Sequence, residues 1–448
     1  MKSNILNKLF NILAILVFII ITLIFLISNN YIWLILYLIF TYFISKNEKI
    51  KHFSILIFVT SFIIRLLLVT LVNLPQIYDF KILLDASNMF SNGDYSFNQW
   101  FHFRVWSYQT GFVIYQGIIL KLFKSEVLLK ILNALYSSIL VVIIYKISSK
   151  ISNEKSAKIV SLLYMVFPFH IIMNLTLANH HLSTLLMYIG IMFILKENKK
   201  LKDYIIASTF IAFGNIIRPE GIIVVFSLIV FTILTFDKTK LKSTLINIGT
   251  FIFIYFLINT SASMLIIKTG VNPNGLTNND PLWKFVLGFN HDTCGFYNNE
   301  DDVRIFVNHE DEKEIIKQRI MSKDTGKLMV CKVESFWLNS GLYLNEGQFY
   351  NKQINIKGIK INIGKIEDII MAFNIGVQRL VVLLMILGLF INRKSIDNKY
   401  LFLLILAVVT FSVYLLIEMQ ARYSYFIFIS VFILSSKSIE YIFNKIGK

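Results

Sequence analysis

Long apolar runs separated by short polar stretches make up most of the chain. A hydrocarbon core of roughly 30 Å needs about 20 apolar residues to be crossed as a helix. Twelve runs reach or approach this length, at about 9–28, 30–45, 53–74, 126–146, 157–174, 178–195, 203–217, 221–236, 243–267, 367–391, 400–417 and 423–442. Several are short, so tilting or local thinning of the bilayer is expected. The pattern predicts an all-α polytopic membrane protein with about twelve transmembrane helices.

Basic residues recur at every second connection between the runs and predict their orientation. The basic connections are 46–51, 146–158, 196–202, 238–242 and 393–399. Cytoplasmic loops are enriched in Lys and Arg, and with twelve spans all these connections fall on the same side as both termini. A further apolar run, at 108–123, would break the alternation if it crossed the membrane. It is therefore predicted to be a juxtamembrane or re-entrant helix on the outer side.

The composition supports this picture and explains the net charge. Of the 448 residues, 56% are hydrophobic and 16% are charged, whereas a soluble domain has about 25% charged residues. The formal net charge is +17. The predicted cytoplasmic segments hold 22 basic and 7 acidic residues, and the remaining 22 basic and 20 acidic residues nearly cancel. The basic excess therefore orients the protein in the membrane and does not indicate nucleic-acid binding.

Two long polar segments remain on the predicted outer side and set the domain boundaries. One is 75–107, and the other, 268–366, has the balanced charge that is typical of a small folded cap. Cys294 and Cys331 lie in this cap, where the oxidising side of the membrane allows either a disulfide or free thiols. The predicted organisation is two additional N-terminal transmembrane helices at 1–50, a core at 51–267 with its first outer loop at 75–125, an extracytoplasmic loop domain at 268–366, and three C-terminal transmembrane helices at 367–448.

Ionisable residues gather at the predicted outer ends of the spans, where they are costly to hold and function is the default hypothesis. Asp79 opens the first outer loop, either as the N-cap of the helix that follows it or as a carboxylate serving as a general base. Arg218 and Glu220 share a tight turn, either as a simple ion pair or with the guanidinium placed to bind a phosphate. Glu418 and Arg422 allow the same two interpretations.

Other chemical signals are weaker or missing. His180 and His181 are adjacent, so they do not share a helix face and predict polar contacts rather than a metal site. Arg65 and Arg379 lie within spans, where snorkelling or an interhelical hydrogen bond accounts for them. The chain has no phosphate-binding loop and no dinucleotide fingerprint, and no predicted cytoplasmic loop exceeds about a dozen residues. An enzyme built from this chain must therefore take its activated substrate from the membrane.

An ordered series of short motifs resembles a known superfamily. The motifs are Asp79-Phe80 after a span and a proline, the stretch 106–116 followed by 121–123, the stretch 164–168 followed by 177–181, the turn Arg218-Pro219-Glu220-Gly221, and the stretch 418–423. In this order and spacing the chain resembles the GT-C superfamily of polytopic glycosyltransferases that use polyprenyl-phosphate sugars. Within it, the similarity is to the bacterial protein mannosyltransferase and aminoarabinose transferase families (glycosyltransferase family 39-like).

The resemblance implies a GT-C fold and the inverting transfer of a monosaccharide from a polyprenyl-phosphate donor to an extracytoplasmic acceptor hydroxyl, with Asp79 as the general base. Phe80 stands where many members have a second acid, so a divalent metal is not indicated, nor is any other cofactor. The charge that develops on the leaving phosphate needs a cation, and the candidates are Arg218, Arg422 and Arg104. The residues expected to line the sugar pocket are His102, Gln109, His180, Glu220 and Glu418.

Two other functions stay open. A cell-surface polysaccharide polymerase or ligase also uses lipid-linked donors, and the loop 268–366 contains the Arg304, Arg319 and His309 that such an enzyme would place there. A lipid-linked sugar flippase or transporter would need polar residues near the bilayer midplane and repeated halves. The expected location is the plasma membrane of a bacterium, with both termini in the cytoplasm. The acceptor class stays open between a protein, a wall polymer and a glycolipid.

Overall fold

The computed structural model describes the backbone of residues 52–338 except residue 73, of 353–356 and 359–362, and of 364–446 except 394–395. Side chains are described up to 338 and again from 370 to 445, with the same gaps. The predicted spans 9–28 and 30–45 lie outside the described residues, as does part of the predicted loop domain.

Helices form almost all of the described structure up to residue 268. They are α1 (Phe53–Leu71), α2 (Tyr78–Ser91), α3 (Phe101–Val105), α4 (Thr110–Phe123), α5 (Glu126–Ile151), α6 (Glu154–Met165), α7 (Pro168–Ile172), α8 (His180–Ile194), α9 (Leu201–Ile217), α10 (Gly221–Leu234) and α11 (Leu241–Lys268). The predicted juxtamembrane run 108–123 corresponds to α4, which packs against α2.

The second part begins with short helices and ends with long ones. The short helices are α12 (Trp283–Gly288), α13 (Asn299–Asp302), α14 (Glu312–Ile320) and α15 (Thr325–Val333). Strands β1 (Gln353–Ile356) and β2 (Ile359–Asn362) form an antiparallel hairpin in which Gln353 pairs with Asn362. The long helices are α16 (Gly364–Asn392), α17 (Asn398–Leu416) and α18 (Tyr425–Ile446).

The helices confirm an all-α polytopic architecture. Within the described ranges, six segments are long and apolar enough to cross a bilayer: Phe53–Leu71, Glu126–Ile151, Lys238–Lys268, Ile370–Asn392, Asn398–Leu416 and Ala421–Lys445. A bent pair, α6 with the segment Pro168–Leu175, is a further candidate, and α8 and α10 are apolar but shorter. The predicted number of twelve spans is not confirmed.

The bend replaces the single straight span that was predicted at 157–174, and its cause is local. Proline has no N–H to donate and disfavours a helical residue before it, so a helix stops ahead of it. α6 ends at Met165, and α7 begins with Pro168 at a first-turn position, where proline is tolerated. The axis turns by 54° between the two segments.

The polar contacts at the two ends of the helices agree with the predicted alternation of the loops. At one end, the predicted cytoplasmic connections touch, because Lys399 and Glu197 form an ion pair of 2.5 Å. At the other end, the two predicted outer segments are joined, since Asn272 Nδ2 donates to Thr110 Oγ1 at 3.0 Å and the Asn279 N–H donates to the Val105 carbonyl at 3.0 Å.

The remaining sequence signals have structural partners. Cys294 and Cys331 form a disulfide, so the disulfide alternative holds in this structure. Arg65 is fully buried in α1, where it donates to Ser61 Oγ at 2.6 Å and to the Met165 carbonyl of α6 at 3.3 Å. Arg379 donates to the Leu338 carbonyl at 3.3 Å. Both arginines thus agree with the hydrogen-bonding interpretation rather than with snorkelling.

The closest helix packing beside the first outer loop depends on one glycine and gives a stability prediction. A Cβ at Gly111 of α4 would lie 2.1 Å from the backbone oxygen of Ile216 in α9. Gly111→Ala must therefore push two backbones apart, and overpacking of this kind costs about 1–3 kcal/mol. We expect a clearly lower unfolding temperature in detergent, measured by fluorescence-monitored melting.

Gly249 in α11 is the matched control, because a Cβ there meets no atom within 4 Å. Gly249→Ala should leave the unfolding temperature unchanged or raise it slightly, since alanine is the better helix former. Equal melting behaviour of the two variants would contradict the packing of α4 on α9.

Candidate active site

Polar loops and one short helix meet at the end of the bundle that contains the first predicted outer loop. The residues that meet are Asp79 in the first turn of α2, Arg218 and Glu220 between α9 and α10, Lys284 in α12, and Glu418 and Arg422 between α17 and α18. We call these six residues the site cluster. The sequence analysis predicts all of them as site residues except Lys284, which is not part of any of the motifs.

Asp79 contacts a residue from the far end of the chain. Its Oδ2 accepts a hydrogen bond of 2.8 Å from Nη2 of Arg422. The helix begins with Tyr78 and its N-cap is Ile77, so Asp79 lies in the first turn and the N-cap alternative does not hold. Tyr78 has a φ of 47°, which is rare for a bulky residue, and such strained backbone is concentrated at functional sites.

The neighbouring charge sets the protonation state of Asp79. Burial raises the pKa of its carboxyl, but Arg422, His102 and Lys284 together lower it by more, so the pKa lies below its usual value. Burial also lowers the pKa of His102, and Asp79 and a hydrogen bond with Gln109 offset this only in part. At neutral pH the site therefore holds an Asp79 carboxylate near a neutral His102 ring, with Gln109 beside that ring.

Arg218 and Glu220 form a second pair at the turn between α9 and α10. Arg218 Nε lies 2.7 Å from Glu220 Oε1, and Arg218 Nη1 donates to Asn179 Oδ1 at 3.3 Å. The hydroxyl of Tyr414 donates to Glu220 Oε1 at 2.9 Å. The other carboxylate oxygen, Glu220 Oε2, is buried and has no hydrogen-bond partner within the described part of the chain.

Lys284 and Glu418 form the third pair and the most enclosed one. Glu418 is 2% exposed and also accepts hydrogen bonds from Gln420 at 2.6 Å and from the Tyr423 hydroxyl at 3.0 Å. Burial raises the pKa of Glu418, but Lys284, Gln420 and Arg422 together lower it below its usual value. Burial lowers the pKa of Lys284, but Glu418 and nearby tyrosines together raise it above its usual value. Both groups therefore stay charged at neutral pH.

One aromatic ring lies among all three cations of the site cluster. The centroid of the Tyr423 ring is 5.0 Å from Arg218 Cζ, 5.6 Å from Arg422 Cζ and 5.7 Å from Lys284 Nζ. These distances are within the range of cation–π attraction. In the sequence, Tyr423 is the last residue of the stretch 418–423, and its place in that motif is the only signal for this role.

The three pairs are unequal in how firmly the carboxylate is held. The side chains of Glu220 and Glu418 are 6% and 2% exposed, whereas that of Asp79 is 43% exposed. Among the described residues, Arg422 alone donates a hydrogen bond to Asp79. The charges of the three pairs cancel, and Asp79 is the carboxylate that is most exposed and least enclosed by its partners.

The other predicted site residues divide between the site and its surroundings. His180 is buried beside Asn179, and neither of its ring nitrogens has a hydrogen-bond partner within the described ranges. His181 differs, because it contacts the Tyr425 hydroxyl and the Met173 carbonyl at 3.0 Å each. Arg104 is exposed, and no hydrogen bond or ion pair joins its side chain to the site cluster in the described structure.

The described side chains include no group of three or more His, Cys, Asp or Glu that could hold a metal ion. The carboxylates of the site cluster instead face cations, as their ion pairs show. The charged groups that meet at this site are therefore three carboxylates, two guanidinium groups and one ammonium group.

The pairing of Asp79 with Arg422 predicts a shift in the titration of Asp79. In Arg422→Gln the burial of the carboxyl remains but its cation is lost, so the pKa of Asp79 should rise. Because carbodiimides react with protonated, accessible carboxyls, labelling of Asp79 should begin at a higher pH than in the wild type when followed by peptide mass spectrometry. Lys81→Gln is the control, since Lys81 pairs with Asp85 on the same helix, and an equal shift in both variants would contradict the Asp79–Arg422 pair.

Two solved structures are similar to the chain. The archaeal oligosaccharyltransferase AglB from Archaeoglobus fulgidus, in complex with an inhibitory peptide and a dolichol-phosphate, aligns with 12% identity and a TM-score of 0.49, covering 88% of this chain and 51% of that one. ArnT from Cupriavidus metallidurans, bound to undecaprenyl phosphate, aligns with 12% identity and a TM-score of 0.41, covering 86% of this chain and 77% of that one. The chain thus spans about half the length of AglB. A search of curated proteins finds no match.

Residues 112–261 match the sequence model of the family described as dolichyl-phosphate-mannose-protein mannosyltransferase. The matched segment runs from α4 into α11 and contains Arg218, Glu220 and His180, whereas Asp79 and Arg422 lie outside it. The match, over this segment of the chain, confirms the resemblance to a mannosyltransferase family that the ordered motifs predicted.

Proposed function

We propose that the protein transfers a monosaccharide from a polyprenyl-phosphate donor to the hydroxyl of an extracytoplasmic acceptor. The observation that carries the proposal is the contact between Asp79 and Arg422, in which an accessible carboxylate meets a cation that shares the Tyr423 ring with Arg218 and Lys284. The matched family is named for a dolichyl-phosphate-mannose donor, which supports a lipid-phosphate sugar here. Such a donor reaches the site through the bilayer, so no nucleotide-binding domain is needed.

Asp79 acts as the general base in this proposal. The acceptor oxygen attacks the anomeric carbon while its proton passes to the Asp79 carboxylate. The bond between the anomeric carbon and the phosphate oxygen breaks, and its electron pair stays on the departing polyprenyl phosphate. Because the new bond forms on the face opposite the old one, the configuration inverts. The lowered pKa keeps Asp79 ionised at neutral pH, as a base requires.

In this proposal the donor phosphate replaces Asp79 as the hydrogen-bond partner of Arg422. A phosphate needs positive charge that is not already neutralised, and of the three carboxylates Asp79 is the most exposed. A guanidinium binds phosphate in a bidentate manner, and Arg218 and Lys284 remain close on the same Tyr423 ring. Once Arg422 turns to the phosphate, Asp79 loses the cation that lowered its pKa and becomes a stronger base. Donor binding thereby prepares the carboxylate for the acceptor.

Unpaired polar atoms beside the cluster suit a sugar. Both ring nitrogens of His180, Nε2 of His102 and Oε2 of Glu220 are buried and lack hydrogen-bond partners within the described ranges. Buried polar atoms are costly without a partner, and the hydroxyls of a monosaccharide can donate to them or accept from them. We assign these residues, with Gln109 and Glu418, to the sugar pocket. The predicted location in a bacterial plasma membrane places this pocket at the outer surface.

The proposal predicts that Asp79→Asn abolishes transfer. Loss of a general base should lower kcat by about 10²–10⁴-fold. The purified protein is placed in liposomes with radiolabelled polyprenyl-phosphate mannose and a membrane extract as the source of acceptors. The label that becomes bound to acceptor and the polyprenyl phosphate that is released are both measured. Pentose-linked and other hexose-linked donors are compared in parallel, because sugar specificity is part of the question.

Asp85→Asn is the matched control for this experiment. Asp85 lies on the same helix, is 44% exposed and pairs with Lys81, so its amide variant should keep wild-type transfer. Transfer retained by Asp79→Asn would overturn the role of Asp79. Movement of labelled donor across the bilayer without release of polyprenyl phosphate would favour a flippase and contradict the transferase.

A further inference from the structure

A buried lysine outside the site cluster joins three segments of backbone. The side chain of Lys332 in α15 is 1% exposed. Its Nζ donates to the Gly288 carbonyl at 2.9 Å, to the Leu415 carbonyl at 2.8 Å and to the Ile417 carbonyl at 2.8 Å. An ammonium group has three N–H donors, so the three carbonyls match its full capacity.

Each of these carbonyls lies at the C-terminal end of a helix that leads to the third ion pair. Gly288 ends α12, the helix whose first turn carries Lys284. Leu415 and Ile417 are at the end of α17, shortly before Glu418. Carbonyls at a helix C-terminus have no partner within the helix and attract cations. Lys332 therefore joins the end of the helix that carries Lys284 to the end of the helix that Glu418 follows.

Backbone contacts around Lys332 make this junction tight. The Glu418 N–H donates to the Lys284 carbonyl at 2.6 Å, and the Met419 N–H donates to the Gly295 carbonyl at 2.8 Å. A Cβ at Gly288 would lie 2.5 Å from the Leu416 oxygen, so the two backbones are in direct contact. We call Lys332 with these two N–H bonds the backbone clamp.

The disulfide restricts the position of Lys332 within the backbone clamp. Lys332 follows Cys331, which is bonded to Cys294. Cys294 in turn precedes Gly295, whose carbonyl receives the Met419 N–H. Gly295 has a φ of 76°, and a Cβ there would lie 3.0 Å from Lys332 Cε. The disulfide thus connects both sides of the backbone clamp and restricts their separation.

We propose that Lys332 is a positioning residue for sugar transfer, which acts through the backbone clamp to set the Lys284–Glu418 pair against Tyr423 and the donor. This inference rests on the proposed function for its catalytic consequence, whereas the clamp itself can be tested without any activity. Lys332 does not touch the proposed substrates, because it is enclosed by backbone carbonyls.

The first test measures the clamp directly by hydrogen exchange of the full-length protein in nanodiscs, with mass spectrometry of peptides covering 413–422. Lys332→Met keeps the length of the side chain but removes its donors, so exchange of the Glu418 and Met419 amides should be at least about tenfold faster. Lys327→Met is the matched control, since Lys327 lies on the same helix and its side chain is 86% exposed. Unchanged exchange in Lys332→Met would overturn the clamp.

The second test separates positioning from general stabilisation by a double-mutant cycle with Glu418→Gln, using the polyprenyl-phosphate mannose assay. Lys332→Met alone should lower kcat by about tenfold or more, with a smaller effect on KM. In the Glu418→Gln background the same change should cost less than about threefold, because both substitutions disrupt one unit. If the two losses multiply in full, the positioning role is wrong.

The two tests also separate the clamp from the proposed function. If the wild type transfers no sugar but Lys332→Met still exchanges faster, the proposed function fails and the clamp stands. If Lys332→Met does not accumulate, Lys332→Gln, which keeps two N–H donors, is measured against Lys327→Gln. Faster exchange in Lys332→Gln alone supports the clamp, and equal exchange in the two variants overturns it.

Discussion

The ion pair between Asp79 and Arg422 joins residues that are 343 positions apart. It ties the first predicted outer loop to the connection between the last two helices, and so brings together the two ends of the described chain. A charge at the edge of a membrane is tolerated only when it has a partner or water. That constraint governs the whole site, because each cation of the site cluster faces a carboxylate and the three cations lie around one tyrosine ring.

In the proposed transfer, short helices would bring this polar cluster to a depth that a lipid-borne substrate can reach. α8 and α10 have 15 and 14 residues, and at 1.5 Å per residue they are about 22 Å long, less than the roughly 30 Å of a hydrocarbon core. The turn with Arg218 and Glu220 lies at the end of such a helix. A phosphate on a polyprenyl chain would therefore meet Arg218 and Arg422 without leaving the membrane interface.

The short helices α12 to α15 and the loops between them contribute to the site, as the long helices do. Lys284 completes the third ion pair, and Lys332 and the disulfide hold that pair against the end of α17. In the proposed transfer, the arginines at the ends of the long helices would bind the lipid phosphate. The short helices would position Lys284, the partner of Glu418. The three carboxylates differ in exposure, and Asp79 is the most accessible of them. In the proposed mechanism Asp79 is also the carboxylate that must separate from its cation.

The sequence by itself determined the helical polytopic class and the positions of most described helices, because apolar length and loop charge act locally, whereas the break at Pro168 was seen only in the structure. It also determined which residues were costly enough at the membrane edge to suggest function, and these include Asp79, Arg218, Glu418 and Arg422. Only the tertiary structure decided which charges pair, that Lys284 joins them, and that Tyr423 lies among the cations. These features depend on contacts between segments that are distant in the sequence. The residues flanking Lys284 do not indicate that it pairs with Glu418, which is 134 positions away.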